Sequence, residues 1–77
     1  MVVVSAVFLF QVKITINGET REIEEGLSVI ELLEQLSIRS GRVVLELNRD
    51  VLSRDAYSKT ILKQDDNLEI VHFVGGG

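Results

Sequence analysis

The three glycines that end this chain are its strongest candidates for chemistry. Gly75, Gly76 and Gly77 follow an apolar, β-branched stretch that begins at Leu68 and predicts a strand near the centre of a sheet. Because three consecutive glycines hold neither a helix nor a strand at low entropic cost, we expect a flexible tail that ends in a carboxylate. Such a tail fits a channel too narrow for a Cβ atom and presents the Gly77 carboxyl group to another protein's active site. The competing interpretation is a frayed terminus without a function.

The rest of the sequence offers little for catalysis. Its only histidine, His72, falls in phase with Leu68 and Ile70, which favours a satisfied histidine within a strand over a general base. A lone histidine in a chain without cysteine does not make a transition-metal site. Asp65 and Asp66 predict a turn, because a calcium loop needs alternate oxygen ligands and a distant glutamate that are missing here. We therefore expect a protein that is not itself an enzyme and that binds no metal.

The composition sets the size of the protein and restricts its partners. Seventy-seven residues make one small domain with a thin core and no deep pocket. The 8 basic and 12 acidic residues give a net charge of −4, which disfavours nucleic acid and favours partners with basic surfaces. The absence of cysteine excludes disulfides and favours the cytoplasm. Five arginines are scattered among acidic residues rather than clustered: Arg21, Arg39, Arg42, Arg49 and Arg54.

Residues 1–11 form an apolar N-terminal extension whose role the sequence leaves open. The stretch has no lysine or arginine of the kind that begins a signal peptide, and it is too short to cross a bilayer as a helix. We therefore expect neither export nor a membrane span. Its β-branched residues favour an extension of the following strand or pairing with a neighbouring molecule, and a wrongly assigned start is the third interpretation.

A hairpin is predicted after this extension. Residues 12–16 alternate between apolar and polar side chains, which is typical of a half-buried strand. Asn17 and Gly18 form the dipeptide that best tolerates the two positive φ angles of a tight two-residue turn. Residues 19–24 then return as a more polar strand, with Ile23 as its clearest inward residue, and this polarity predicts a sheet edge.

The next segment predicts an amphipathic helix. Ser28 can cap its first turn, Glu31 can close a capping box, and Leu27 can pack against Leu32. The helix is expected to end near Ser37. Apolar residues spaced at i, i+3, i+4 and i+7 form one stripe that faces the sheet: Val29, Leu32, Leu33 and Leu36.

The second half of the chain predicts three further extended segments. Residues 43–47 read as a strand, residues 51–52 as a brief return, and residues 68–74 as the final strand. Ser53 is expected to cap a short helical turn over residues 53–58. If the final strand pairs in parallel with the first, it lies in the middle of the sheet. The whole pattern predicts an α+β domain with one main helix packed across a mixed sheet of about four to five strands.

Several of these motifs resemble the ubiquitin-like, β-grasp sulfur carriers, most closely the ThiS family of thiamine biosynthesis. The resemblance covers residues 12–77 and rests most specifically on the terminal glycines. Its other parts are the Asn17-Gly18 turn, the helix start at residues 28–33, and residues 45–48, 53–55 and 65–74. It implies a β-grasp domain over residues 12–74, an extension of uncertain role over residues 1–11, and a flexible tail over residues 75–77.

The resemblance also implies how the tail is used. An E1-like adenylyltransferase (ThiF type) would activate the Gly77 carboxylate with ATP and Mg²⁺, and sulfur from a cysteine desulfurase relay would convert it to a thiocarboxylate. Thiazole synthase (ThiG type) would take that sulfur. Gly75 and Gly76 would supply the bare backbone that partners recognise, and Phe73 and Val74 would be a possible apolar contact. For Phe73, an ordinary sheet residue is an equally open interpretation.

Other functions remain open at this point. The small subunit of molybdopterin synthase shares the fold and the Gly-Gly end, but its family usually has a proline before the tail, which this chain lacks. A sulfur carrier of another pathway is a further alternative. A β-grasp binding module with an inert tail and a ubiquitin-like protein modifier belong to different functional classes.

Overall fold

The computed structural model describes residues 10–73, which form a five-stranded mixed sheet with one α-helix. The strands are β1 (Gln11–Ile16), β2 (Glu19–Glu24), β3 (Val43–Leu47), β4 (Asp50–Leu52) and β5 (Asn67–His72), and the helix is α1 (Val29–Gln35). Short 3₁₀ turns cover Ser40–Arg42 and Arg54–Ala56. The strand order β2-β1-β5-β3-β4 places the last strand at the centre, as predicted. The α+β architecture with one main helix is confirmed.

The first hairpin forms as the sequence predicts. Asn17 and Gly18 have φ angles of 49° and 84°, the two positive values that a two-residue turn requires. β2 is an edge strand, and Ile23 is its one buried residue. The pairing extends one step beyond the strand limits, because the Glu25 amide donates to the Phe10 carbonyl oxygen at 2.9 Å. β1 therefore includes Gln11, which the sequence assigned to the N-terminal extension.

A complete capping box starts α1. The Ser28 hydroxyl oxygen accepts from the Glu31 amide at 3.2 Å, and the Glu31 carboxylate accepts from the Ser28 amide at 2.9 Å. The hydrogen bond from the Ser28 backbone amide, and after it that from the Ser28 side chain, favours the charged carboxylate and lowers the pKa of Glu31. Removal of the Ser28 hydroxyl is expected to destabilise the domain by about 1 kcal/mol.

The core lies between α1 and one face of the sheet. Val29, Leu32 and Leu33 of the helix are buried, while Leu36 of the predicted stripe is partly buried against the same core. The sheet and the following loops supply the remaining buried residues, which are Ile14, Ile16, Ile23, Leu27, Val43, Leu45, Tyr57, Leu62, Leu68 and Ile70.

One predicted cap is wrong. Ser53 does precede a short helical turn, but its side chain makes no capping hydrogen bond. The Ser53 backbone carbonyl accepts from the Ala56 amide at 2.9 Å instead, as the tight 3₁₀ turn requires.

The predicted Asp65-Asp66 turn is present. The Asp66 carboxylate accepts from the Lys63 amide at 2.8 Å and from the Asn48 side-chain amide at 2.9 Å. Both carboxylate oxygens thus have structural partners, in agreement with the prediction of a turn rather than a calcium loop.

Candidate functional site

The candidate site is the end of β5, from which residues 74–77 follow in the sequence. β5 lies between β1, which runs parallel to it, and β3, which runs antiparallel. The β1 pairing is short and ends at Ile16 and Leu68, whereas the β3 pairing continues to Val43 and His72. The outer half of β5 therefore has a strand on one side only.

Asn17 takes the place of a strand on the other side. Its side-chain Nδ2 donates to the Ile70 carbonyl oxygen at 3.2 Å, and its Oδ1 accepts from the Ile70 amide at 2.7 Å. We call these two bonds the Asn17 clamp. Because Asn17 also occupies the first positive-φ position of the hairpin turn, one residue closes the hairpin and holds the last strand.

Asn48 acts in a similar way at the other end of β5. It has a φ of 52° in the turn between β3 and β4, and its Oδ1 accepts from the Asn67 amide at 2.9 Å. The backbone of β5 is therefore bonded by two asparagines that lie in turns. Asn48 bonds it at its start, and Asn17 bonds it in its outer half.

The described support of the β5 backbone extends to Phe73. The Phe73 amide donates to the Arg42 carbonyl oxygen at 3.2 Å, one step beyond the last strand pair. The Phe73 side chain is 43% exposed. Val74, Gly75, Gly76 and Gly77 lie outside the described residues.

His72 lies in β5, as predicted, but it is not enclosed by the core. It falls in phase with the buried Leu68 and Ile70, yet its own side chain is exposed. The reason is that β1 ends beside Leu68, and no strand of residues 10–73 covers His72 on that side.

Two adjoining grooves lie beside His72, and we call them the tail-root grooves. The first has a volume of about 300 Å³, and the apolar half of its lining consists of Ile16, Leu36, Ile38 and Ile70. The second has a volume of about 380 Å³ and shares Ile38 and His72 with the first. Phe73 lines the second groove.

The charges around these grooves differ from the prediction of scattered arginines. Arg21 lines the first groove, and Arg39 and Arg42 line the second. Glu19 is the one acidic side chain among the groove-lining residues that the structure describes. The fold therefore brings Arg21 to a pair of grooves that also contains Arg39 and Arg42, and sequence spacing alone gave no signal of this.

Residues 10–73 contain neither a group of metal-ligating side chains nor a membrane-spanning helix. No three side chains of the types His, Cys, Asp and Glu lie close enough there to hold a metal ion together. No helix in that part of the chain is long and apolar enough to cross a membrane.

Comparison with known proteins identifies the family. The family model described as "ThiS family" matches residues 14–77. Over 63 residues the chain is 32% identical to the sulfur carrier protein ThiS of Bacillus subtilis, and the match covers 80% of this chain and 96% of that protein. It is also 42% identical over 65 residues to a thiazole synthase of Magnetococcus marinus, covering 84% of this chain. The chain spans only 20% of the length of that thiazole synthase.

A solved structure agrees with this assignment. The crystal structure of the thiamine biosynthesis protein ThiS from Geobacter metallireducens superposes with a TM-score of 0.74 at 38% sequence identity. The superposition covers 84% of this chain and 99% of that protein. It confirms the β-grasp fold that the sequence predicted. The chain therefore belongs to the ThiS family.

Proposed function

We propose that this chain is a sulfur carrier in thiamine biosynthesis and that its reactive group is the carboxylate of Gly77. The observation that carries the proposal is the family match, which continues to Gly77 and so includes the glycine tail. The relative from Bacillus subtilis is named a sulfur carrier protein. The described fold suits this role, because the tail follows a central strand that is bonded on both sides.

The chemistry begins with activation, because a carboxylate is a poor acyl donor. One Gly77 oxygen attacks the α-phosphorus of ATP on an adenylyltransferase, which binds Mg²⁺, and pyrophosphate leaves. A sulfur nucleophile then attacks the acyl carbon, and AMP departs with its electron pair. The product is a thiocarboxylate, which is ionised and nucleophilic at neutral pH. In the cell, a cysteine desulfurase relay supplies the sulfur as a persulfide, whose outer sulfur displaces AMP and forms an acyl disulfide. A thiol then cleaves the S–S bond, which releases the thiocarboxylate and leaves that thiol in a disulfide with the donor sulfur.

The proposed acceptor of the sulfur is a thiazole synthase. Two relatives with that name, from Magnetococcus marinus and Paramagnetospirillum magneticum, contain a segment similar to this chain over about a fifth of their length. A carrier segment within the same polypeptide as the synthase supports a partnership between the two. In the present chain, the carrier would be a co-substrate of its partner enzymes rather than a catalyst.

The tail residues have distinct roles in this proposal. Gly75 and Gly76 provide backbone without Cβ atoms, which a narrow channel in the partner requires. Phe73 and Val74 supply an apolar contact at the mouth of that channel. The exposure of the Phe73 side chain supports its part in this contact.

Intact-mass spectrometry tests the proposal. The chain is incubated with the adenylyltransferase of its source organism, ATP, Mg²⁺ and sulfide. We expect its mass to increase by the difference between one sulfur and one oxygen atom. Deletion of Gly77 should abolish the increase and leave the thermal transition nearly unchanged, because a short tail buries little surface. An unchanged wild-type mass with an active adenylyltransferase would refute the proposal.

Two glycine variants test whether the partner's channel is too narrow for a Cβ atom. Gly76→Ala adds one methyl group to the tail and should block sulfur loading. Gly41→Ala adds the same group to the 3₁₀ turn after α1, where a Cβ atom meets nothing within 4 Å. The Gly41 variant should therefore fold and load like the wild type. Equal loading by both variants would contradict the narrow channel.

A further inference from the structure

The tail-root grooves carry a charge opposite to that of the whole chain. Three of the 8 basic residues line the grooves, against one of the 12 acidic residues. The net charge of −4 favours basic partners, but the surface beside the tail has a formal charge of +2 from Arg21, Arg39, Arg42 and Glu19. Because salt screens distant charges, a partner that binds the tail interacts more strongly with this local charge than with the net charge of the chain.

The guanidinium groups of Arg39 and Arg42 are available to such a partner. Both residues are exposed, and none of the side-chain hydrogen bonds within residues 10–73 involves them. The backbone of Arg42 is fixed, because its carbonyl oxygen accepts from the Phe73 amide. The Arg42 side chain therefore starts from a backbone position that is bonded to Phe73, the last described residue before the tail.

Apolar surface accompanies these cations. Phe73 and Ile38 line the same groove as Arg39 and Arg42, and the Phe73 side chain is 43% exposed. Aromatic residues and arginine are the types enriched in protein interfaces. The combination fits a protein surface better than it fits a small anion, which would need the charges but not the exposed aromatic ring.

We propose that the second tail-root groove is the docking surface for the protein that activates the tail, and that this partner presents carboxylates around an apolar side chain. The inference rests on the proposed function and adds the chemistry of the partner surface. Arg39 and Arg42 pair with the acidic rim, while Ile38 and Phe73 contact its apolar centre. This attraction orients the carrier so that the tail points into the channel.

Steady-state kinetics of pyrophosphate release by the source organism's adenylyltransferase test the proposal. In the double variant Arg39→Glu and Arg42→Glu, we expect the KM for the carrier to rise about tenfold or more, because two attractive rim contacts become repulsive. The kcat should stay within about twofold, since the variant changes docking and not the reacting carboxylate. Increasing the salt from about 50 to about 300 mM should raise the wild-type KM and lower that of the variant, because salt screens the attraction in the first and the repulsion in the second.

The double variant Arg54→Glu and Lys59→Glu is the matched control. It changes the net charge by the same amount at two exposed residues that line neither groove. Its KM should stay close to that of the wild type. An equal rise in both double variants would indicate a general charge effect and overturn the groove as the docking surface.

The outcomes separate this inference from the proposed function. If the wild type does not support pyrophosphate release, the proposed function fails. If the wild type is active and the Arg39/Arg42 variant has an unchanged KM, only the docking surface is refuted.

As a further check, ATP alone is added to the isolated chain and the NMR signals of Arg39 and Arg42 are followed. Saturable shifts at micromolar ATP would identify a nucleotide site there and overturn the proposal, whereas unchanged signals support it.

Discussion

The substitution Asn17→Gly isolates the Asn17 clamp from the turn that contains it. Glycine accepts the φ of 49° at position 17 without strain, so the hairpin turn is preserved. The two bonds to Ile70, at 3.2 and 2.7 Å, are lost together. The variant therefore reports on the contribution of the side chain alone.

The expected loss follows from the position of these bonds. Each net hydrogen bond contributes about 0.5–1.5 kcal/mol, and both are partly buried. Without Asn17, the Ile70 amide and carbonyl have no replacement strand on that side, although water can reach them in part. We expect the free energy of unfolding to fall by about 1–2 kcal/mol. Each kcal/mol corresponds to a fall of about 4–8 °C in Tm for a domain of this size.

Urea denaturation and amide hydrogen exchange measure the effect. The urea midpoint should fall, and the Ile70 amide should lose more protection than the amides of β3. Asn17→Asp is the control, because it keeps the acceptor for the Ile70 amide and loses the donor to the Ile70 carbonyl. It should keep more of the protection of the Ile70 amide than the glycine variant, while the urea midpoint still falls because a carboxylate oxygen then faces the Ile70 carbonyl oxygen. A glycine variant with the wild-type midpoint and a protected Ile70 amide would refute the clamp.

Three other predictions concern local features. Arg49 has a φ of 74° in the turn between β3 and β4, so Arg49→Gly should raise the free energy of unfolding by about 1 kcal/mol; a lower urea midpoint would contradict this. The pKa of Glu31 is lower in the folded state than its usual value of 4.5, so the charged carboxylate stabilises the fold at pH values above 4.5. This stabilisation is lost as the pH falls through the lowered pKa of the folded state. The difference in urea midpoint between the wild type and Glu31→Gln should therefore shrink below about pH 4.5; a constant difference would argue against the capping charge. Removal of residues 1–9 should leave both sulfur loading and the urea midpoint unchanged. Removal of residues 1–11 should lower the urea midpoint, because it deletes Gln11 and the Phe10 carbonyl oxygen that accepts from the Glu25 amide. Loss of loading in the shorter deletion would assign a role to the N-terminal stretch.

The parts of the fold that local chemistry determines were predictable from the sequence. The Asn17-Gly18 turn depends on two adjacent φ angles, and the capping box depends on Ser28 and Glu31 three residues apart. Apolar periodicity was sufficient to place the buried face of α1. Each of these signals lies within a few residues of the element that it specifies.

The features that the sequence did not reveal depend on distant neighbours. The clamp joins Asn17 to Ile70 across 53 residues, so it is visible only when β1 and β5 are known to be adjacent. The exposure of His72 has a related cause, because alternation gives the phase of a strand but not where its neighbour ends. The grooves bring Arg21 near a surface that also contains Arg39 and Arg42, and sequence spacing does not encode this proximity.

The support of β5 explains how a small domain can hold the backbone in place up to Phe73, the last residue that the structure describes. A strand with a neighbour on one side can twist away from the sheet, and such motion would move any segment that follows it. The β3 ladder reaches His72, and the clamp bonds the opposite side of the backbone at Ile70, two residues earlier. The position of Phe73 is then set by backbone bonds rather than by side-chain packing. Partner contacts with the exposed Phe73 ring can therefore form without withdrawing a side chain from the core.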